Sequence, residues 1–543
     1  MSVSIAKVYS AQLIGLHVEI VNVEVDISNG LHAFSIVGLG DRAVEEAKDR
    51  VAAAIKNSGY VSPKQKNQKV VVSLAPADIR KEGPSFDLSI ALSYLKAAGE
   101  IDFDHDNKLF LGELSLEGSI QKISGVLPIL CQLEKLGFTQ AFIPKGNERE
   151  ASLAKGINIY VVSSLVEIIA HLNRTSPLTS LEPRWEENMS YPAENTIDMH
   201  TIRGHELAKR GLEIAAAGAH NLIMYGPPGT GKTMLAHSFS SILPPLSYEQ
   251  SVEVTGIHSA AQTLNDNLIV YPPFRAPHHT ASYPAIVGGG AFPRPGEITL
   301  AHRGVLFLDE FPEFDRSVLE ALRQPLEDRV ITISRARGAV TFPAQCILMA
   351  SMNPCPCGKG SGGGCTCPQH ILEKYRRKLS GPIMDRLDIW LNVHKIDYEK
   401  MSQKETSAET SSQIRERVAH ARARQKDRFN KFGIAKSFNS EMGAEDMERI
   451  ISLNEDARKL LVASAKSMSL SGRAFHKIIK VAQTIADLKG TDEISEIDIL
   501  EALQYRRKMG DENHVRRTVE ENRSAIRHPQ TGGGGDAGEE IRN

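Results

Sequence analysis

The segment NLIMYGPPGTGKT, Asn221 to Thr233, constrains the fold of this chain more than any other. It fits the P-loop pattern, in which an apolar strand leads through a glycine-rich turn into a helix. Glycine lacks a Cβ, so the backbone N–H groups of such a turn can wrap around a polyphosphate. A chance glycine turn before a helix is the alternative, but the predicted strand, turn and apolar helix follow one another at the spacing that the motif requires. The sequence therefore predicts binding of a nucleoside triphosphate, through Gly226, Pro227, Pro228, Gly229, Thr230, Gly231, Lys232 and Thr233.

The side chains that close this motif suit phosphate chemistry. Lys232 is predicted to reach the outer phosphates, and the Thr233 hydroxyl to hold Mg²⁺. A second apolar strand, GVLFLDE, ends in Asp309 and Glu310. We expect Asp309 to complete the Mg²⁺ shell and Glu310 to polarise the attacking water. An acidic pair after a strand is weak evidence for a nucleotide site by itself, but it becomes strong evidence in a chain that also holds a P-loop.

A third apolar strand, ILMASMNP, ends at Asn353. This side chain is predicted to contact the γ-phosphate or the attacking water. An asparagine in the turn after a core strand is the simpler alternative. Three strands with polar tips together indicate an α/β fold with a parallel sheet, because such tips meet at one edge of the sheet.

Composition narrows the function classes. At 543 residues the chain is too long for one core, so about two to four domains are expected. The net charge is -2, so any nucleic-acid binding must depend on local patches or a pore. No apolar run approaches a bilayer span, and Met1 to Ala11 lacks the features of a signal peptide. We expect a cytoplasmic protein without a membrane partner.

Changes in pattern along the chain predict five segments. Residues 1–174 alternate strands and helices and form an α/β or α+β domain. Residues 175–195 are a polar linker, and residues 196–395 hold the nucleotide motifs. Residues 396–508 are helical, and their arginine-rich helix is interpreted as a solvated face. Residues 509–543 are polar and glycine-rich, so a disordered tail is predicted.

The segments KEGPSFDLSIAL and GELSLEGSIQKISGVLP in the first domain resemble the proteolytic domain of the Lon family, which has a ribosomal-S5-like fold. The resemblance places Ser85 at the position of the nucleophile. Leu127 occupies the position of the lysine that would take the proton of the serine. Because a serine hydroxyl without a base is a poor nucleophile at neutral pH, we expect a non-proteolytic structural or binding domain.

Four of the six cysteines lie in CPCGKGSGGGCTC, as two C-x-C pairs separated by seven residues. Four thiolates this close could bind one tetrahedral Zn²⁺. The spacing differs from the usual C-x₂-C knuckle, so structural zinc and free cysteines both stay open. The candidate ligands are Cys355, Cys357, Cys365 and Cys367.

Two segments bear on a nucleic-acid partner. Residues 274–298 are rich in glycine and proline, which favours a loop that faces a pore. Residues 329–343, RVITISRARGAVTFP, alternate as two strands around a turn, with Arg335 and Arg337 near the tip. A ring of such hairpins would present a basic collar to a phosphate backbone. An ordinary exposed hairpin is the alternative.

Four segments together resemble the ComM/YifB family of magnesium-chelatase-like AAA+ ATPases. They are RPGEITLAHRGVLFLDEF, SMNPCPCG, SGPIMDRLDI and LSGRAFHKIIKVAQTIADL. The resemblance implies ATP and Mg²⁺ as cofactors, and a ring, expected to be a hexamer, with ATP bound between subunits. It also implies DNA branch migration in natural transformation. By the same resemblance, Arg386 matches the arginine finger, with Arg376 and Arg377 as substitutes, and Arg473 matches the second sensor arginine of a helical lid.

The prediction from sequence is thus an AAA+ motor, with a Lon-like domain and a lid, that hydrolyses ATP and remodels DNA as a helicase or branch-migration enzyme. A chelatase-like or chaperone-like ATPase that remodels protein partners is the alternative. An ATP-dependent protease is disfavoured by Leu127. Salt-sensitive DNA binding would separate the first two functions.

Overall fold

The structure is a computed structural model, and it describes residues 4–184, 197–264, 268–290, 293–335, 338–360, 364–379, 381–395 and 409–506. Within these ranges the chain forms an N-terminal sheet, a central parallel sheet and a C-terminal helical unit, here called the lid (residues 409–506). The predicted tail and most of the predicted linker lie outside the described residues. No helix of the described part is both long and apolar enough to cross a membrane.

The N-terminal sheet is mixed, with strand order β3-β4-β2-β1-β5-β8-β9. Strand β2 pairs antiparallel with both β1 and β4, and the other strand pairs of this sheet are parallel. Val21, Val23 and Val25 of β2 are buried, as their alternation with polar residues predicts. The strands of the N-terminal unit are β1 Ser4–Ile14, β2 His17–Asn29, β3 Ala33–Val37, β4 Gln68–Ala75, β5 Lys108–Phe110, β6 Glu113–Leu114, β7 Ile120–Gln121, β8 Gln140–Pro144 and β9 Asn158–Val162. Of these, β6 and β7 form a separate two-stranded sheet.

The helices of this unit cover the sheet with apolar side chains. The first helix begins where Asp41 accepts a hydrogen bond from the Val44 N–H, an N-cap that satisfies an otherwise unpaired amide. Leu127, which the sequence resemblance aligned with the Lon lysine, is fully buried in the third helix. The helices are Arg42–Asn57, Asp87–Ala97, Val126–Leu133, Glu148–Ala151 and Leu165–Leu172.

The central sheet has five parallel strands in the order β11-β14-β17-β10-β18. All residues of β14 and β17 are buried, as expected for strands covered on both faces. The three strands predicted from their polar tips, β14, β17 and β10, are therefore adjacent. The strands of this region are β10 Leu222–Tyr225, β11 Phe274–Arg275, β12 Gly288–Gly289, β13 Arg294–Pro295, β14 Val305–Leu308, β15 Val330–Arg335, β16 Gly338–Pro343, β17 Ile347–Met352 and β18 Ile389–Asn392.

Nine helices accompany the central sheet among the described residues. The helix Tyr248–Ala260 also packs on Val126–Leu133 of the N-terminal unit, where the Gly125 N–H donates to Ser259 Oγ at 3.0 Å. The two units therefore share a packed interface. The helices are Glu206–Gly218, Lys232–Phe239, Tyr248–Ala260, Tyr283–Val287, Glu297–Leu300, Arg316–Ala321, Arg323–Asp328, Gln369–Lys378 and Gly381–Met384.

The lid packs on the central sheet through one continuous hydrophobic core. Its helices are Ser411–Lys431, Ala444–Ile450, Glu455–Ser467, Gly472–Lys489 (the lid helix) and Glu496–Gln504, with the short strands β19 Ser452–Leu453 and β20 Glu493–Ile494.

The interpretation of helix Ser411–Lys431 as a solvated face is wrong. Arg417 donates to the buried carboxylate of Glu213 at 2.6 Å, and Arg422 donates to the Ala216 carbonyl at 2.7 Å. Arg428 binds both oxygens of the fully buried Asp487 at 2.6 and 2.7 Å. Arg417 and Arg422 thus join the lid to the helix Glu206–Gly218, and Arg428 joins two lid helices, because the planar guanidinium pairs well with buried acceptors.

Candidate functional site

The P-loop turn joins β10 to the helix Lys232–Phe239. Gly229 and Gly231 adopt left-handed conformations, with φ of +74° and +84°, which favour glycine. A Cβ on Gly226 would lie 2.1 Å from the Val393 carbonyl oxygen, so only glycine fits there. The strand, the turn and the helix lie as the sequence predicts.

Lys232 and Asn353 meet beside this turn. Lys232 Nζ donates to the carbonyl oxygens of Gly226 and Pro227, both at 2.8 Å, and to Asn353 Oδ1 at 3.1 Å. All three ammonium protons therefore have an acceptor. Burial lowers the pKa of Lys232, partly offset by the charge of Asp309. The arrangement places one cation and one amide at the mouth of the P-loop.

Thr233 and Asp309 form the second part of the site. Thr233 Oγ1 donates to Asp309 Oδ2 at 2.9 Å, and the Glu310 N–H donates to Asp309 Oδ1 at 2.9 Å. Ser351 Oγ also donates to Asp309 Oδ1. A hydroxyl and a carboxylate side by side are hard oxygen ligands of the kind that Mg²⁺ prefers, so these residues fit a magnesium ion.

Ser351 is a site residue that the sequence analysis missed. It is a polar residue within the otherwise apolar strand ILMASM, and that exception is the only signal the sequence offers. Its role becomes visible only because β17 lies next to β14.

Glu310 has a strained backbone and an exposed side chain. Its φ of 49° and ψ of 45° are left-handed, a conformation that costs a non-glycine residue about 1–2 kcal/mol. Its Oε2 lies 3.5 Å from Nδ1 of His279, which belongs to the glycine- and proline-rich segment 274–298. The sequence analysis expected the segment 274–298 to face a pore and did not place His279 beside Glu310.

Arg386 and Arg473 meet at the opposite edge of the sheet. Arg386 is mostly buried, donates to the Pro382 carbonyl and forms an ion pair with Glu327. Arg473 Nη1 lies 3.9 Å from the same carboxylate. The hydrogen bond from Arg386 lowers the pKa of Glu327. These three residues line a cavity of about 340 Å³ together with Arg329, Lys477 and Lys480.

The strand β10 separates these arginines from the P-loop. Asn221, which precedes β10, donates to the Arg386 carbonyl at 3.2 Å, whereas the P-loop follows β10. Four residues of strand span about 13 Å. The two arginines therefore lie away from the P-loop of their own subunit. Of the two substitute positions, Arg377 is an exposed residue paired with Glu373, and the side chain of Arg376 lies outside the described atoms.

The four cysteines form a compact cluster. The Sγ atoms of Cys355, Cys357 and Cys365 are separated by 3.3, 3.7 and 3.6 Å, and all four Sγ atoms lie within 4.8 Å of one another. Tetrahedral zinc with Zn–S bonds of about 2.3 Å requires S···S distances of about 3.8 Å. The Gly360 N–H donates to Cys355 Sγ. The residues fit a zinc ion.

The cysteine loop contacts the P-loop. A Cβ added to Gly358 would lie 2.6 Å from Cδ of Pro228. The Asn353 carbonyl accepts a hydrogen bond from Tyr375 at 2.9 Å, two residues before Cys355. The loop that carries the cysteines thus contacts Pro228 of the P-loop, and Asn353, which precedes that loop, contacts Lys232.

The predicted hairpin is confirmed as a fold element. β15 and β16 pair antiparallel from Val330 with Pro343 to Arg335 with Gly338. Arg337 lies outside the described residues, and only the backbone of Arg335 is described. Their contact with DNA stays a prediction.

Family models cover most of the chain. Residues 198–401 match the model described as magnesium chelatase, subunit ChlI. Residues 23–147 match subunit ChlI of Mg-chelatase, and residues 408–506 match the C-terminal part of that subunit.

Three similar proteins illustrate the range of relatives. "Competence protein ComM" of Haemophilus influenzae is 41% identical over 507 residues, which cover 93% of this chain and 97% of that protein. "Uncharacterized protein YifB" of Escherichia coli is 38% identical over 505 residues, with coverage of 93% and 97%. "DNA replication licensing factor mcm6" of Schizosaccharomyces pombe is 21% identical over 345 residues, 57% of this chain and 33% of that protein.

Proposed function

The chain belongs to the ComM/YifB family of magnesium-chelatase-like AAA+ ATPases, and on that premise we propose a ring-forming motor, a hexamer, that couples ATP hydrolysis to DNA remodelling in the cytoplasm. The remodelling is branch migration or a related helicase activity in recombination and natural transformation. The observation that carries the proposal is the separation of the P-loop from Arg386 and Arg473. In this arrangement each subunit holds the P-loop half of one site at one edge of its sheet and the arginine half of a second site at the opposite edge.

Within one subunit, the carboxyl edge of the sheet supplies the groups that bind ATP. The turn from Gly226 to Gly231 offers N–H groups to the phosphates, and Lys232 exchanges a carbonyl partner for a phosphate oxygen. Thr233 and Asp309 would hold Mg²⁺, which neutralises phosphate charge when bound. Glu310 orients and polarises the attacking water, and Asn353 contacts the γ-phosphate or that water.

Hydrolysis also needs positive charge on the transferring phosphoryl group, and a neighbouring subunit supplies it in ring ATPases. Arg386 serves as the finger and Arg473 as the second sensor. Both lie on one surface and share the Glu327 carboxylate. A subunit that docks its P-loop edge against this surface would complete the site.

The hairpin β15–β16 is the proposed DNA contact, through Arg335 and Arg337. One distant relative supports a nucleic-acid partner, since it is named a DNA replication licensing factor. Arginine side chains on repeated hairpins would neutralise backbone phosphates in a salt-dependent manner.

Zinc is proposed as a structural ion held by the four cysteines. The S···S distances suit it. It would cross-link a glycine-rich loop that packs on Pro228, and so hold the P-loop and Asn353 in place.

The test is the ATPase rate without DNA and with single-stranded, duplex and branched DNA. Wild type, Lys232→Ala and the double variant Arg335→Ala/Arg337→Ala are compared. We expect Lys232→Ala to abolish hydrolysis. The double variant should keep basal hydrolysis and lose stimulation by DNA. An assembled ring that no DNA stimulates at low salt would refute the DNA motor.

The ring is tested by mixing inactive subunits. Lys232→Ala keeps a functional arginine edge, and Arg386→Ala keeps a functional P-loop. In a random equal mixture about one interface in four joins the two functional halves, so activity should recover to about a quarter of wild type. A mixture as inactive as its parts would show that Arg386 does not act on the neighbour.

The matches to magnesium chelatase models favour a second candidate, a chelatase-like or chaperone-like ATPase that remodels protein partners. It predicts hydrolysis that responds to a protein and ignores DNA. Salt-sensitive DNA binding, lost in the hairpin variant, distinguishes the DNA motor from this alternative.

A further inference from the structure

One buried carboxylate holds both ends of the hairpin β15–β16. Arg329 immediately precedes β15, and its Nη1 lies 3.2 Å from Glu441 Oε1. Gln345, two residues after β16, donates to the same oxygen through Nε2. The side chain of Glu441 is only 7% exposed. The root of the hairpin is thus joined from both strands to a single side chain.

Glu441 belongs to the lid, in the short turn Asn439–Glu441. Its Oε2 accepts from the N–H groups of Ser437 and Phe438 at 2.7 and 3.3 Å, so the lid backbone fixes the carboxylate. Hydrogen bonds also join this turn to the lid helix Gly472–Lys489, which carries Arg473.

Three hydrogen bonds make that tie. Asn439 Nδ2 donates to Asp487 at 2.7 Å and to Thr484 at 3.0 Å, and Lys480 Nζ donates to the Ser440 carbonyl at 3.1 Å. Asp487 and Asn439 are buried, so these bonds are shielded from water. The turn and the lid helix should therefore move together.

On its other side, the hairpin root contacts the segment just before β14, the strand that leads into Asp309. The Arg303 N–H donates to the Gln345 carbonyl at 2.7 Å, just before β14. The Ala344 N–H donates to the Arg329 carbonyl at 2.8 Å and closes the root. The hairpin is therefore held between the nucleotide-binding sheet and the lid.

We propose that Glu441 is a positioning residue that transmits displacement of the lid to the hairpin. When Arg473 engages a phosphate, the lid helix moves, and Glu441 carries the root of the hairpin with it through Arg329 and Gln345. Arg329 and Gln345 both bind the charged carboxylate of Glu441, and hydrogen bonds to an ionised group are the stronger ones, so the link resists separation. The proposal rests on the proposed function for the contact of Arg473 with a phosphate and for the DNA bound by the hairpin.

The experiment is hydrogen exchange of the full chain, measured with and without a non-hydrolysable ATP analogue and magnesium. The reporters are the backbone amides of residues 330–343, and the P-loop amides report nucleotide binding. Glu441→Gln keeps the size of the side chain and an acceptor for the lid amides but removes the charge. Glu445→Gln, at an exposed position on the next helix, is the matched control for loss of one carboxylate.

In wild type and Glu445→Gln, nucleotide should change hairpin exchange by about tenfold, the size of one charge-assisted hydrogen bond. In Glu441→Gln the hairpin should lose this response while the P-loop keeps its protection. A merely structural role would raise exchange in both states and leave the response intact. A wild-type hairpin that ignores nucleotide, or a Glu441→Gln hairpin that responds as wild type does, would overturn the proposal.

Arg329→Gln is the second variant, in case Glu441→Gln does not fold. It breaks the same ion pair from the hairpin side and leaves the bonds from Ser437 and Phe438 in place. It should lose the response equally, and the double variant should lose no more. In the ATPase assay Glu441→Gln should keep basal hydrolysis and lose stimulation by DNA about tenfold. Absence of stimulation in wild type would refute the DNA motor, and the exchange result would still decide the role of Glu441.

Discussion

The contact between the cysteine loop and the P-loop yields a prediction whose size follows from the structure. Gly358 has φ of +78°, and a Cβ there would lie 2.6 Å from Cδ of Pro228. Ordinary contact begins near 3.4 Å, so Gly358→Ala must push the loops apart by about 0.8 Å. Pro228 has a rigid ring, and the backbone must therefore move. A misplacement of about 1 Å in a catalytic site can cost 10²-fold, so kcat/KM for ATP should fall by about 10- to 100-fold.

Gly364→Ala is the control for backbone strain. Gly364 has φ of +76°, yet among the residues that the structure describes no atom lies within 4 Å of its added Cβ. Both variants bear the left-handed cost of about 1–2 kcal/mol, and only Gly358→Ala adds the overpacking cost of about 1–3 kcal/mol. Steady-state ATPase and thermal unfolding are measured on both. If both variants lose kcat/KM equally, the contact with Pro228 is irrelevant and the reasoning fails.

Three further predictions address single side chains. Cys365→Ser should lower the metal content from about one zinc per chain, measured by mass spectrometry, whereas a wild type free of zinc would refute the site. Ser351→Ala should raise the magnesium concentration for half-maximal ATPase about tenfold, since Asp309 loses a donor; an unchanged requirement would contradict this. Burial raises the pKa of Glu253, but the hydrogen bonds and charges of His302 and Arg303 together outweigh it and hold the pKa at about 2, below its ordinary 4.5. The stability it contributes is present above pH 4.5 and is lost as pH falls toward 2, so Glu253→Gln should lower the unfolding temperature at pH 7 and matter less at pH 3.

Local pattern was sufficient for the parts of the site that one segment encodes. The P-loop is a strand, a turn and a helix in thirteen consecutive residues, and the hairpin is two alternating strands around a short turn. Both were predictable because their geometry depends on neighbours in sequence.

Contacts between distant segments were not predictable from pattern. Ser351 and His279 reach the catalytic edge only through sheet order and loop path. The arginines of helix Ser411–Lys431 suggested a solvated face because composition does not reveal the buried acceptors, such as Asp487, that they bind. Glu441 carries no sequence signal at all, since its partners lie about a hundred residues away.

Glu327 connects the arginine edge of the sheet to the hairpin β15–β16. It binds both Arg386 and Arg473, and it lies three residues before β15. A γ-phosphate from a neighbouring subunit carries more negative charge than one carboxylate, so it should displace Glu327 from the arginines. The released Glu327 lies in the last turn of the helix Arg323–Asp328, which leads directly into the hairpin. The hairpin is thus attached to the arginine edge by its own chain and to the lid by Glu441. A phosphate bound at this edge should therefore displace the hairpin through both connections.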